Sequence, residues 1–366
     1  MFVNISPFIS RNNLDGHFFS VHNKFKEIFS MEYKYLEISS IGGLNDSFCL
    51  SILPNELKSR NNLIEKVSIC NIASEIDSFV KSRLPKNESI TYHIYEGNLN
   101  LFLLALELAD KDPNSKIIFN FHWFQDEKTL IRDLFENSQY SIELIQYYID
   151  NERLFLSCES KVNSQTLQRI VKRPTPKYPT FSVYSSTYKK VMKDLIIVIP
   201  SSQSEIDFLH KSLKRIITVL SGYKIICLGH WEKSNSKFNY SHLSDLGLDL
   251  RLGYIPAEEY VALLNQSEIM ILPYQTFKWY KSGSSGRLED ALAHKSFVIV
   301  PQDTSLYRDN RKLPFTIGYW RCSTLSLISS IFYILIFKKH VVKFLANYNF
   351  DSSVSKLLLY VSKIHN

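Results

Sequence analysis

Short runs that are apolar on both faces alternate with amphipathic runs through most of the chain. In the first half these runs are Phe2–Ile5, Tyr33–Ile38, Ile90–Tyr95, Lys116–Phe121 and Leu154–Cys158. They predict strands covered on both sides, the mark of a parallel sheet. Phe18, Val21, Phe25, Ile28 and Phe29 recur at helical spacing, and Leu99 to Ala109 reads as a second helix, closed by Asp110-Lys-Asp-Pro113. Strand, helix, strand alternation implies right-handed βαβ units and a doubly wound sheet.

The alternation pauses at Lys172-Arg-Pro-Thr-Pro-Lys-Tyr-Pro179, where closely spaced prolines forbid regular helix and stiffen the chain. It restarts with strand candidates at Leu195–Ile199, Tyr223–Leu228, Leu248–Leu252, Ile269–Leu272 and Phe297–Val300. Helices are predicted over Ser204 to Leu220 and Pro256 to Leu264. The last 45 residues read as two or three helices. Their apolar run Leu325 to Phe337 is too short to span a bilayer and suits burial. The pattern divides the chain into a Rossmann-like domain over 1–180, a second over 181–320, and terminal helices over 321–366.

Length agrees with this division, since 366 residues exceed what one core usually fills. With 45% hydrophobic and 22% charged residues, an intrinsically disordered chain is excluded. Residues 1–180 carry 20 basic and 22 acidic side chains, residues 181–366 carry 23 and 14, so an anionic ligand is expected in the second half. The excess is too scattered for a nucleic-acid partner. Cys49, Cys70, Cys158, Cys227 and Cys322 lie far apart without a C-x-x-C pair, which predicts reduced thiols in a cytoplasmic protein rather than a zinc site. The first residues show neither a basic n-region nor a long apolar stretch, so no signal peptide is expected.

The densest chemical signal runs from Pro273 to Ala293. A strand ends in Pro273-Tyr274. A polar loop follows with Lys281, Ser282, Gly283, Ser284, Ser285, Gly286 and Arg287, and a helix begins that carries Glu289. Glycines let backbone approach a ligand closely, and N–H groups at a helix start favour phosphate. Arg287 adds a two-pronged donor, and a carboxylate at Glu289 could accept ribose hydroxyls. In the first half, Lys116-Ile-Ile-Phe-Asn-Phe-His122 is a strand ending in histidine, Glu96 closes another, and Gly16-His17 opens the first helix. Open α/β sheets bind ligands at such carboxyl edges. His93, inside an apolar strand, reads as structural.

The run Tyr254–Tyr274, then Ser282-Gly to Ala293, then Val298-Ile-Val-Pro301, resembles the donor-binding core of GT-B glycosyltransferases of the group 1 type, also called family four. The resemblance is clear over about fifty residues and continues in register through Gly16-His17, Glu96-Gly97 and His122. It implies two Rossmann-like domains facing a central cleft. The second binds a nucleotide-sugar donor and the first a glycan, lipid-linked or protein acceptor. It also implies that the terminal helices, Leu325–Phe337 above all, cross back to the first domain. His122 and Lys281 are then the catalytic candidates. Tyr274, Ser282, Gly283, Ser284, Ser285, Gly286, Arg287 and Glu289 would hold the donor, with Gly16, His17 and Glu96 on the acceptor side. A retaining hexosyl transfer without metal or cofactor follows, in polysaccharide or glycan synthesis, in the cytoplasm or peripherally at the inner face of a membrane.

The chain departs from that pattern in two places. Family four enzymes usually carry two glutamates around the donor sugar, and the first position is Lys281 here. After Ile197-Val-Ile-Pro200, where many place Arg and then Lys for the diphosphate, this chain has Ser-Ser-Gln-Ser204 and no base before His210. Two other readings stay open: a GT-B-like nucleotide-sugar epimerase, and a non-catalytic nucleotide- or sugar-binding protein. The absence of a G-x-G-x-x-G after a strand argues against an NAD enzyme.

Overall fold

The computed structural model describes residues 1–7, 17–39, 49–51, 53–58, 64–83, 88–122, 140–179, 194–229, 238–253, 255–274, 285–313, 315–346 and 352–365. The chain forms two compact units, Met1–Thr180 with Ser353–Asn366, and Phe181–Ser352.

In the first unit, β1 (Phe2–Ser6), β2 (Tyr35–Ser39), β3 (Cys49–Ser51), β4 (Thr91–Gly97), β5 (Lys116–Phe121) and β6 (Leu154–Cys158) form one sheet. The order is β3-β2-β1-β4-β5-β6, and every pairing is parallel. Its helices are α1 (His17–Phe29), α2 (Lys66–Lys81), α3 (Leu99–Lys111), α4 (Ile142–Asp150) and α5 (Lys161–Val171). β1 and β4 are buried along their whole length, which explains why their sequences lack alternation. α2 buries a stripe of Ile69, Ile72, Ala73, Ile76 and Val80 at helical spacing. Each of its larger apolar side chains contributes roughly 1.5–3 kcal/mol by leaving water. Asn98 starts α3 by accepting the Leu101 N–H at 2.9 Å.

The second unit repeats the plan with β7 (Leu195–Val198), β8 (Lys224–Gly229), β9 (Asp249–Leu252), β10 (Ser267–Ile271), β11 (Phe297–Pro301) and β12 (Thr316–Tyr319). The order is β12-β11-β10-β7-β8-β9, again parallel throughout. Its helices are α6 (Gln203–Leu213), α7 (Ser241–Ser244), α8 (Ala257–Gln266), α9 (Gly286–Ala293), α10 (Ser305–Asn310) and α11 (Thr324–Ala346). The final helix, α12 (Ser352–His365), joins the first unit. His365 Nδ1 meets Thr91 Oγ1 at 2.7 Å, and Tyr360 packs on Tyr178 with ring centroids 5.7 Å apart.

Two expectations need correction. The helix predicted over Ser204 to Leu220 ends at Leu213. The chain continues in tight turns such as Ile216 N–H to the Leu213 carbonyl at 2.9 Å, because the β-branched run Ile216-Ile-Thr-Val219 favours helix poorly. Leu325–Phe337 does not return to the first unit. Leu327, Ile331 and Ile334 sit one or two turns apart on α11 and are fully buried in the second unit's own core; α12 is the helix that returns. The proline-rich segment packs on the first unit. Tyr178 is fully buried in the first unit, and its N–H bonds the Cys158 carbonyl at 2.7 Å, beside the end of β6. No helix among the described residues is long and apolar enough to cross a membrane.

Candidate functional site

Both sheets reverse strand order beside their first strand, at β1/β4 and at β7/β10. In open α/β sheets the crevice that takes ligands lies at the carboxyl ends of the strands at such a reversal.

His122 follows the last residue of β5, and Glu159 follows the last residue of β6. Their side chains meet, with Nδ1 of His122 2.6 Å from Oε1 of Glu159. The carboxylate is 5% exposed and the imidazole 14%, so the pair sits just under the surface with the histidine outermost. β5 and β6 pair in register through Phe121 and Cys158, which sets the two residues side by side. Ser160 then starts α5 by accepting the Asn163 N–H at 3.1 Å, which fixes the turn that carries Glu159. Burial, and after it the charge of Glu159 to which it hydrogen-bonds, pushes the Tyr95 hydroxyl well above its usual range. Glu159 was not singled out in the sequence. The signal that marked His122, a polar residue just past a buried strand, marks it equally.

Glu96 takes a different course. It lies near the end of β4, at the switch point, but its carboxylate turns inward and is fully buried. Oε2 accepts the Ser6 hydroxyl at 2.8 Å, and Oε1 accepts His22 Nε2 at 2.5 Å. The expectation that Glu96 faces a ligand is therefore corrected: two protein donors claim both of its oxygens. The network extends through Asn4, in register with Glu37 on β2 and His93 on β4. Asn4 Nδ2 donates to His22 Nδ1, Asn4 Oδ1 accepts His93 Nδ1–H at 2.7 Å, and His93 Nε2 accepts the Tyr178 hydroxyl at 2.8 Å. Burial works against charge on His22, yet the Glu96 carboxylate, assisted by Glu37, outweighs it and raises the pKa. Burial, with the neighbouring His22 charge, lowers His93 to about 3. The carboxylate thus raises the basicity of one histidine, and burial holds the other neutral. His93 is structural, as expected. His17 opens α1. Gly16 lies outside the described residues.

In the second unit, Tyr274 follows β10 and is almost fully buried. Its hydroxyl lies 3.4 Å from Oγ of Ser285, the residue that precedes α9. Ser285 makes no side-chain cap to that helix. Arg287, half-buried in the first turn, lies close enough to Tyr240 to oppose the burial that pushes the Tyr240 hydroxyl up to about 12. Glu289 is buried in the same turn, 7% exposed, and the next residue, Asp290, accepts the Tyr260 hydroxyl at 3.4 Å. The structure therefore brings Tyr274, Ser285, Gly286, Arg287 and Glu289 to one end of β10. Lys281, Ser282, Gly283 and Ser284 lie outside the described residues.

Across the switch point, Ser202 caps α6 by accepting the Glu205 N–H at 3.4 Å. Glu205 folds back, fully buried, and its Oε2 accepts the Ser201 N–H at 2.7 Å and the Ser201 hydroxyl at 2.9 Å. Among the described residues no group of three or more His, Cys, Asp or Glu is arranged to hold a metal ion.

No protein-family model matches this chain. No curated protein matches it either. Solved structures do. A glycosyltransferase from Rickettsia africae matches with a TM-score of 0.64 at 13% identity, over 99% of this chain and 98% of its own. A UDP-forming α,α-trehalose-phosphate synthase from Burkholderia xenovorans matches at 0.62 and 10% identity, over 100% and 99%. A UDP-N-acetylglucosamine 2-epimerase matches at 0.60 and 10% identity, over 98% and 93%. The likeness shows the fold: an α/β chain of two Rossmann-like units, the GT-B architecture.

Proposed function

We propose that this chain is a glycosyltransferase that takes a sugar from a nucleotide-sugar donor. The observation that carries the reading is the gathering of Tyr274, Ser285, Gly286, Arg287 and Glu289 where β10 ends and α9 begins. In a GT-B chain that arrangement suits a nucleoside diphosphate. The start of α9 and the Arg287 guanidinium face negative charge well, and Glu289 accepts ribose hydroxyls. Lys281 is proposed to reach the diphosphate as well, since an ammonium beside the reacting sugar carbon would oppose its developing positive charge.

The first unit supplies the acceptor side. With Nδ1 held by Glu159, His122 acts through Nε2, on the donor sugar or on the acceptor hydroxyl. Charge left on the departing diphosphate is stabilised by the α9 dipole and Arg287, which act in place of a metal. The finer reading is a retaining, metal-independent hexosyl transfer of the group 1 type, to a glycan, lipid-linked or protein acceptor in polysaccharide synthesis. Its place is the cytoplasm, with peripheral contact at a membrane surface.

Product analysis tests this reading. The protein is incubated with UDP-, GDP- and ADP-sugars, with and without an acceptor mixture, and products are resolved by chromatography and mass spectrometry. Release of nucleoside diphosphate with a glycosylated acceptor is expected. Conversion of the donor to its epimer without acceptor would replace the reading with an isomerase. Tight nucleotide binding without any turnover would leave a binding protein.

A further inference from the structure

The start of α6 stands at the switch point of the second unit, directly after the central strand β7. In an unmodified α/β plan this is an anion site, because N–H groups of the first helical turn point out of the sheet edge. Here the protein sets its own anion beside that turn, on Ser201, two residues ahead of the first helical residue. Glu205 is fully buried, and one carboxylate oxygen takes both the Ser201 N–H and the Ser201 hydroxyl. Ser202 takes the Glu205 N–H. Gln203, at the first helical position, spends its amide on Asp207 and its carbonyl oxygen on the Asn239 N–H. The segment from Ser201 to Leu209 holds two acids, Glu205 and Asp207, and no base.

A carboxylate in this position does two things to a phosphate. It occupies the Ser201 N–H and hydroxyl just ahead of the helix, and it repels the phosphate through surroundings where water screens poorly. We propose that Glu205 is a specificity-determining residue, closing the α6 side of the crevice to phosphate so that a nucleotide's anionic groups are received from the α9 side alone. The inference rests on the nucleotide-sugar reading above. It explains how the chain tolerates the lack of arginine and lysine after Pro200: the bases are missing because the phosphates are not received there. Ligands are then chosen by how far their charge extends towards β7.

Calorimetric titration of the full chain with UDP, GDP and ADP, each beside its monophosphate, tests this. Glu205→Gln keeps an oxygen for the Ser201 N–H and removes the charge; Glu205→Met, also neutral, covers the case in which Gln does not fold. Glu205→Asp retains the charge. In a folded neutral variant the diphosphate is expected to bind about tenfold tighter than to the wild type, with the monophosphate changed less than the diphosphate. Glu205→Asp is expected to show no gain. Equal or weaker diphosphate binding in folded Glu205→Gln or Glu205→Met, with binding by the wild type intact, overturns the role of Glu205 and leaves the nucleotide-sugar reading standing. Binding by a neutral variant alone supports the role of Glu205 and removes diphosphate nucleotides as the native ligand. No binding by any of them overturns both.

Discussion

Nδ1 of His122 lies 2.6 Å from a carboxylate oxygen of Glu159, and each residue directly follows one of two paired strands, β5 and β6. A carboxylate at one ring nitrogen fixes the tautomer and the ring plane, so the other nitrogen is presented in one orientation.

Glu159→Gln removes the charge but keeps the shape. Turnover is expected to fall about a hundredfold with donor KM nearly unchanged, within the range found when the partner orienting a histidine is lost. Turnover equal to that of the wild type in a folded Glu159→Gln would show that Glu159 serves only packing.

The paired histidines of the first unit make opposite contributions to stability as pH changes. His93 has a folded pKa of about 3 against an ordinary value of 6.5. The unfolded chain therefore takes up a proton that the native state refuses as pH falls below 6.5, and stability is lost. Between pH 6.5 and 5 that loss is about 2 kcal/mol. His22, raised by Glu96, gives stability that is fully present below its unfolded pKa and is lost as pH rises through its folded one. Urea denaturation at pH 5 and pH 7 should show a smaller acid loss in His93→Gln than in the wild type and a larger one in His22→Gln. The same pH difference in all three proteins would contradict the assignment.

Gly97 closes β4 where the chain must pass β5 closely. A Cβ there would collide with the Asn120 carbonyl oxygen and the Phe119 ring. The carbonyl is backbone and cannot swing away. Gly97→Ala should cost roughly 1–3 kcal/mol, visible as a lowered Tm by calorimetry. A Tm equal to that of the wild type would mean that β4 and β5 separate easily at this point.

Much of this molecule is legible in its sequence, for a physical reason. Strands buried on both faces have no polar alternation to confuse their reading, and the ten runs marked from Phe2–Ile5 to Phe297–Val300 all correspond to strands. β3 and β12 escaped because a three-residue run such as Cys49–Ser51, or Thr316–Tyr319 with its glycine, is no more apolar than a loop. For Leu325–Phe337, apolar spacing reveals that a helix is buried, not which core receives it. The polar network is not legible for another reason: Asn4 on β1, His22 on α1, Glu96 on β4 and Tyr178 in the proline-rich segment after α5 meet only once the unit has folded. Glu205 reads in sequence as an ordinary N-terminal acid of a helix, and only its position beside β7 gives it meaning.

The central claim is that the second unit holds a nucleotide through the start of α9 and Glu289. Calorimetric titration of the wild type and of Glu289→Ala with UDP, GDP and ADP tests it most directly, with circular dichroism to confirm that the variant is folded. The wild type is expected to bind at least one of them, and Glu289→Ala to bind it roughly 10- to 150-fold more weakly, the loss of hydrogen bonds worth about 1.5–3 kcal/mol to a charged acceptor. Equal affinity in a folded Glu289→Ala, or no binding of any nucleotide by the wild type, would contradict it.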